Sequence, residues 1–588
     1  MKKGFRRNFS LVAATLTLGA ALFTPLASVA QAQVKLEETI DTPDAKAIEG
    51  GTLKVALVGP AFEGLLNNMV STSNPDSLVI SFFHDDLFGY NADFVIDDSG
   101  FAKLELDKEK KQATIKIPEG HKWDDGEPIT IDDVIFPYYV IGHKDYTGVR
   151  YNEQFTNVIG MDDYHEGKTD KIAGLERVDD YTLRISYKNF QSSMILSNGG
   201  VAPYIQPEHV LKDVPLKDLD AAEAVRKKPV GFGPFKVESI VPGEAVTYVA
   251  NEHYWRGKPK IDKVLLEVVS PETAPEEMKA GRYDIGLNFP SDTYDTYKDA
   301  TNFKVLGRLQ NVINYVGFKL GKWNEEKSEV EMDDSKVLAN KYLRQAFGYA
   351  VNNDAIGEKF YHGLREGANS LITPNFKEAH DKDLAGYTYD PEKAKALLAE
   401  GGFEDKDGDG FVEDPNGKPF TLKLASMSGG EIAEPFAQYY LESWKAIGVN
   451  VELVDGRLLE FNSFYDRVEK DDPEIDIYLG AWTLGGNPDP NALYGKSSKF
   501  NYSRFTSPEL DALLEKFTSD ESFDLEFKKA AFKEWQAYMF EQAPVIPTLY
   551  RQSVTAINNR VNKYSIDPDS PLRYLHTVEL TADVPATE

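Results

Sequence analysis

The stretch HKWDDGEPITIDDVIF, residues 121–136, carries more structural information than any other in the chain. Trp123 stands at the head of a turn made by Asp124, Asp125 and Gly126. Thr130 then precedes Ile131-Asp132-Asp133-Val134, with Thr130 placed to cap a helix and Asp133 at the capping-box position. An aromatic ring beside glycine, proline and acid either anchors a turn in a core or walls a pocket. The same association returns at His253-Tyr254-Trp255-Arg256-Gly257 and at Ala481-Trp482-Thr483-Leu484-Gly485-Gly486-Asn487-Pro488-Asp489-Pro490. Trp123 and Trp255 read as turn anchors. Trp482 ends a buried strand and enters a glycine-rich turn, a usual position for a ligand contact.

Working outward, Thr52–Leu57 alternates after two glycines and reads as a first strand, residues 102–118 as a hairpin, and 182–190 as another strand. A second rhythm begins near 310. Residues 311–320 form a strand and 337–350 have helical spacing. Asp390-Pro391-Glu392 opens a helix that Gly401-Gly402 stops. Strand 420–426, helix 430–447 and the following Val449–Gly456 make a strand–helix–strand unit. Strand 476–482, helices 508–517 and 523–542 and a strand from 545 complete the pattern. Mixed strands and crossover helices without an internal repeat predict several α/β lobes.

The chain has 588 residues, 95 acidic against 65 basic, for a net charge of −30. Such a surface repels nucleic acid and anionic lipid and excludes both as expected partners. Cysteine is absent, which removes disulfides, thiol catalysis, thiolate zinc and iron–sulfur clusters. The nine histidines form no HxxxH or HxH pair. Lys2, Lys3, Arg6 and Arg7, an apolar run from Leu11 to Leu26 and Ala30-Gln31-Ala32 predict a signal peptide over 1–32. A flexible leader is expected over 33–49. No later stretch approaches the ~18 apolar residues of a membrane span. There is no GxSxG, Walker loop, GxGxxG or HExxH, so the expectation is a non-enzyme that is exported.

The motifs also carry a family resemblance. Trp123-Asp124-Asp125-Gly126 with Pro128-Ile129-Thr130-Ile131-Asp132-Asp133-Val134 resembles a signature of bacterial peptide-transporter solute-binding proteins, extracellular family 5. Pro229-Val230-Gly231-Phe232-Gly233-Pro234-Phe235, Asn251–Trp255 with Pro259, Arg344-Gln345-Ala346 with Tyr349-Ala350, and Asp390–Ala394 resemble further family motifs, in the family's order. The likeness is strongest to oligopeptide-binding proteins of Gram-positive bacteria.

The resemblance implies a two-lobed, periplasmic-binding-protein-like α/β fold with an extra third domain. Lobe I would comprise 50–85, 190–308 and 546–580, the extra domain 86–189 and lobe II 309–545. It implies a monomeric receptor that encloses an oligopeptide between its lobes and docks on the permease subunits of a membrane ABC transporter. The ligand would add as an extra strand. Trp482, Thr483, Gly485, Gly486 and Asn487 should border the peptide, with Asn314, Tyr550 in the strand returning to lobe I, and Tyr151 in the extra domain. Several relatives pair the peptide amine with an aspartate three residues after this tryptophan; here Gly485 stands there, and Asp489 is the nearest carboxylate. Gram-positive relatives usually bear a lipid on a cysteine at the cleavage site, and this chain offers none. Alternatives on the same scaffold are a binder of a pheromone peptide, sugar or nickel, and, from another class, a secreted peptidase. Nickel is disfavoured by the scattered histidines.

No cofactor is required by this reading. Asp405, Asp407, Asp409 and Glu413 nonetheless fill positions 1, 3, 5 and 9 of a calcium loop, with Gly410 at position 6. Position 12 is Asn416 where a bidentate glutamate is usual, and a strand rather than a helix follows. A bound calcium and a solvated acidic turn are both open on this spacing.

Overall fold

The computed structural model describes residues 34–430 and 432–588. The signal sequence expected over 1–32 lies outside the described residues. Three sheets organise the rest. A seven-stranded sheet runs in the order 303–306, 555–558, 285–287, 52–58, 263–269, 245–250, 235–241. Its central strand, Thr52–Val58, pairs in parallel with both neighbours and is almost wholly buried, which is why its second half reads as an apolar run. A six-stranded sheet runs 365–367, 545–551, 312–318, 477–483, 422–425, 451–453. A four-stranded antiparallel sheet runs 103–107, 112–116, 182–186, 175–179. Its core also takes in Val134, Tyr138 and Ile141 of the helix Asp132–Ile141.

Two segments pass between the seven- and six-stranded sheets, 307–311 outward and 552–554 back. They run side by side. Gln310 N–H donates to Arg551 O at 2.9 Å, Ser553 N–H donates to Arg308 O at 2.7 Å, and Leu309 bridges Gln552 in antiparallel fashion. The expected change of rhythm near 310 is therefore where the chain crosses between sheets. The return crossing falls later than the expected start of the last lobe I segment at 546. Strand Val545–Arg551 is a member of the six-stranded sheet, paired with both 312–318 and 365–367. Only after residue 551 does the chain rejoin the first sheet, through Thr555–Asn558. That first unit also runs past 580, since Ala586 O accepts from the Asn302 and Asn558 side chains.

The leader expected to be flexible is paired. Thr39–Ile40 forms an antiparallel ladder with Tyr564–Ser565, and Ile40 is buried, because the polar stretch contains apolar side chains that the first unit covers. The helix after the tryptophan turn begins at Asp132 and not at Thr130, and no side-chain cap is formed at its N-cap, Ile131. Half of the expected capping box survives. The Asp133 carboxylate accepts the Thr130 N–H at 2.9 Å, and also the Trp123 indole N–H at 3.2 Å and the Glu208 N–H at 3.0 Å. Burial pushes Asp133 up to about 6.

Trp123 is fully buried, as a turn anchor should be. Its neighbour Asp124 exchanges hydrogen bonds with Gly231, accepting the Gly231 N–H at 3.0 Å while donating its own N–H to Gly231 O at 2.9 Å. Two motifs more than a hundred residues apart thus meet. Gly231 is obligatory there, since a Cβ would sit 1.9 Å from Phe83 O. Arg344, in another family motif, is buried and donates to Gln542 O and Ala543 O at the end of helix Leu525–Gln542. There it satisfies orphan carbonyls and opposes the helix dipole.

The discontinuous first unit is tied by one buried ion pair. Arg560 donates to both oxygens of Asp284, at 2.6 and 2.7 Å, and Asp284 also accepts the Lys54 N–H at 2.8 Å. Removing one partner strands a buried charge. Asp284→Ala is therefore expected to cost about 3–5 kcal/mol of stability in chemical denaturation. Asp98→Ala, at an exposed pair with Lys103, should cost less than about 1 kcal/mol.

Candidate functional site

A cavity of ≈ 2540 Å³ lies between the units, with walls drawn from all three sheets' domains. From the six-stranded sheet come Trp482, Thr483 and Asn314. Trp482 is half-buried. Phe500 meets it edge-on at 5.0 Å and Tyr502 at 5.1 Å, which fixes the indole on that side. Thr483 is exposed and Asn314 donates to Leu549 O at 3.0 Å. Strand 422–425 covers its neighbour 477–483 only as far as Ala425 opposite Tyr478. Past that point the Tyr465 hydroxyl serves the exposed backbone, accepting the Ala481 N–H at 3.1 Å and donating to Ala481 O at 3.0 Å.

The glycine turn after Trp482 divides in role. Gly485 and Asn487 line the cavity. Gly486 does not, and is pressed instead on the opposite unit. A Cβ there would lie 2.7 Å from Phe94 Cβ and 2.8 Å from Ser197 Cβ, and one on Gly485 would lie 3.1 Å from Asn198 Cβ. Larger residues at this turn would hold the two sides apart. Nearby, Phe190 stacks on Phe523 at 5.6 Å, and Lys528 donates to Ser192 Oγ at 3.2 Å.

Tyr151 lines the cavity from the extra domain, its ring stacked on His165 at 4.1 Å. Burial, then the charges of Asp162 and Glu166, hold its hydroxyl above the ordinary tyrosine value. Tyr550 does not line the cavity. Its strand belongs to the six-stranded sheet, and its side chain is buried behind the wall. There its hydroxyl meets Asn369 Oδ1, the Ser370 N–H, Ser370 O and Ile372 O at 2.9–3.1 Å. It pins the loop whose Leu371 and Ile372 do face the cavity.

Sequence reading passed over Glu153 and its surroundings. Glu153 lines the cavity beside Tyr151 and accepts the Gln191 side-chain N–H at 2.6 Å. Burial, then the Asp489 carboxylate across the closure, push it up to about 7. Asp489 accepts the Asn491 N–H at 2.9 Å and its side-chain N–H at 2.8 Å, and it faces Lys528. A lone glutamate in a polar stretch gives no signal, because the partner that perturbs it is over three hundred residues away.

The acidic loop stands apart from this cavity. Asp405, Asp407 and Asp409 are exposed, with carboxylate oxygens within 4.8 Å of one another. Glu413 is not in that set. Its side chain is buried and accepts the Lys406 N–H at 2.7 Å, so the ninth position of the expected loop serves the turn itself.

Residues 100–504 match the family model described as bacterial extracellular solute-binding proteins, family 5 middle. The chain belongs to this family. Among curated relatives, the oligopeptide-binding protein OppA of Lactococcus lactis (strain IL1403) is 34% identical over 490 residues, 82% of either chain. The oligopeptide-binding protein AppA of Bacillus subtilis is 27% identical over 481 residues, 80% of this chain and 81% of the relative. The solved structure of lactococcal OppA, closed on an endogenous peptide, superposes with a TM-score of 0.87 at 32% identity. That match covers 90% of this chain and all of the other. In this family-5 protein, then, the sheets build the two-lobed α/β fold of these relatives. Tyr550→Phe is expected to leave the loop's buried acceptors unmet and cost about 1–3 kcal/mol, read as a lowered melting temperature.

Proposed function

We propose that this protein is an exported receptor that captures oligopeptides between its lobes and delivers them to the permease of a membrane ABC transporter. The observation that carries this is the size of the cavity between the lobes. At ≈ 2540 Å³ it exceeds the roughly 300–1,000 Å³ typical of small-molecule pockets and suits an extended chain. Relatives of the same fold are named as oligopeptide-binding proteins and two are described with peptide bound. Among the described residues, no strand pairs with 477–483 on that side beyond Tyr478 and Ala481 is met there only by the Tyr465 hydroxyl, which supports capture by main-chain hydrogen bonds that every peptide can offer. Side chains are then left to a roomy enclosure, so broad sequence tolerance follows. We read the chain as a monomeric binder, not an enzyme, with the permease as its protein partner.

The amino terminus of the peptide is not rigidly anchored in this reading. Gly485 supplies no charge, and Asp489 is committed to Asn491 and Lys528. N-terminal acetylation of a bound octapeptide should change its Kd by less than about threefold in calorimetry. A tenfold loss, about 1.4 kcal/mol, would overturn the point.

Closure should also depend on pH. Glu153 meets Asp489 across the interface, with Gln191 donating to Glu153 and Lys528 facing Asp489. A carboxyl raised to about 7 on closing prefers its protonated form in the closed state. The contribution to closure is full below the ordinary glutamate value of 4.5 and is lost as pH rises through about 7. Peptide affinity is expected to fall at least about threefold between roughly pH 5 and pH 8, a step that Glu153→Gln removes.

A further inference from the structure

One stretch of the cavity wall carries charges that capture by backbone does not use. Arg365 and Arg551 stand directly opposite each other in the antiparallel pairing of strands 365–367 and 545–551, and both line the cavity. Directly opposed residues share a face with Cβ atoms about 5 Å apart, and like charges so placed repel. Among the described residues, the buried cations are answered. Lys319 and Arg504 share Asp471, Arg560 has Asp284, and Arg344 has the carbonyls of a helix end.

Arg365 and Arg551 differ. Among the described residues, Arg551 donates through Nε to Gln310 Oε1 at 2.8 Å, and Arg365 reaches Ser291 Oγ at 3.5 Å, with no carboxylate in ion-pair distance of either. Arg365 Nε is buried without a partner, and its guanidinium lies 3.6 Å from the ring centre of Tyr361. Burial, then the charge of Arg365, hold Arg551 down at about 10. Asp295 is bound to His362 at 3.1 Å, and Glu366 alternates to the other face of its strand. Asp292 shares this wall, and its charge bears on Tyr361.

We propose that Arg365 and Arg551 form an anion subsite that receives a carboxylate of the bound peptide and biases the receptor toward peptides bearing one there. A carboxylate would relieve the repulsion and meet the planar guanidinium fork with charge-assisted hydrogen bonds, for which arginine is better suited than lysine. The Tyr361 ring fixes one guanidinium beforehand, so little freedom is lost on binding. A peptide C-terminus and an aspartate or glutamate side chain offer the same chemistry. This subsite rests on the reading of the cavity as a peptide site.

The test uses one octapeptide of alanine, valine, serine and glutamine in three forms: free C-terminal acid, C-terminal amide, and amide with a single glutamate scanned through each position. Kd is measured for the wild type and for Arg365→Gln/Arg551→Gln. The wild type is expected to bind the free acid, or one glutamate amide, about ten- to a hundredfold tighter than the neutral amide. Which of the two does so identifies the source of the carboxylate. In the double variant the ratio between the charged and neutral forms should shrink to within about twofold, as expected when one charge-assisted contact is lost. Should that variant not fold, Arg365→Gln alone, which leaves Arg551 on Gln310, gives the same comparison. Equal wild-type affinities for all three forms, or a preference that survives in the variant, would overturn the subsite and leave capture standing. Failure of the wild type to bind any form would overturn the peptide reading itself.

Discussion

The buried pair of Asp284 and Arg560 is the constraint on which the architecture rests. The first lobe is assembled from chain segments separated by the whole of the second, and its sheet holds Thr52–Val58 and Thr555–Asn558 on either side of strand 285–287. Hydrophobic burial holds such a sheet together but does not choose its register. The Asp284 carboxylate answers the Lys54 N–H on one side and Arg560 on the other, and Arg560 reaches on to Thr52 O, Ala582 O and Asp583 O. One charged cluster therefore fixes the first strand, a middle strand and the end of the chain in one arrangement. A buried charge that is satisfied in only one arrangement penalises every other.

With the first lobe closed on itself, the second is an uninterrupted insertion, and everything between them is interface. The turn at Gly485 and Gly486 meets Phe94, Ser197 and Asn198, with no room for a side chain at Gly486 and a tight fit at Gly485. Phe190 on Phe523, and Lys528 on Ser192, continue the contact away from the cavity. Closure thus has an apolar and a polar component of its own, separate from whatever the cavity holds.

Much of the fold was legible because its motifs do structural work. Trp123, Asp124 and Gly231 interlock in the core, so their spacing is dictated by packing and can be read from one chain. The two lobes were visible in the change of strand and helix rhythm near 310, while the return crossing was misplaced because strand Val545–Arg551 has the same apolar run in either sheet. The candidate site was less legible. Trp482 announced itself by ending a strand at a glycine turn. Tyr550 looked like its equal, but the pleat turns it inward to hold a loop. Glu153, Arg365 and Arg551 gave no sign, since each owes its character to a partner supplied by β-pairing or by closure. A charge becomes informative only once its surroundings are known.

The paired crossing segments, 307–311 and 552–554, set how the two halves move. Their mutual hydrogen bonds make them a narrow ribbon. A two-stranded ribbon resists stretching and shear along its ladder far more than it resists twist and bend. The ribbon itself thus opposes sliding of one half past the other more than it opposes a change of angle between them. The separation of the two outer tips then becomes a gauge of that angle, readable from outside without contact with the contents. A partner that touches both tips at once can distinguish loaded from empty while remaining indifferent to which molecule was loaded.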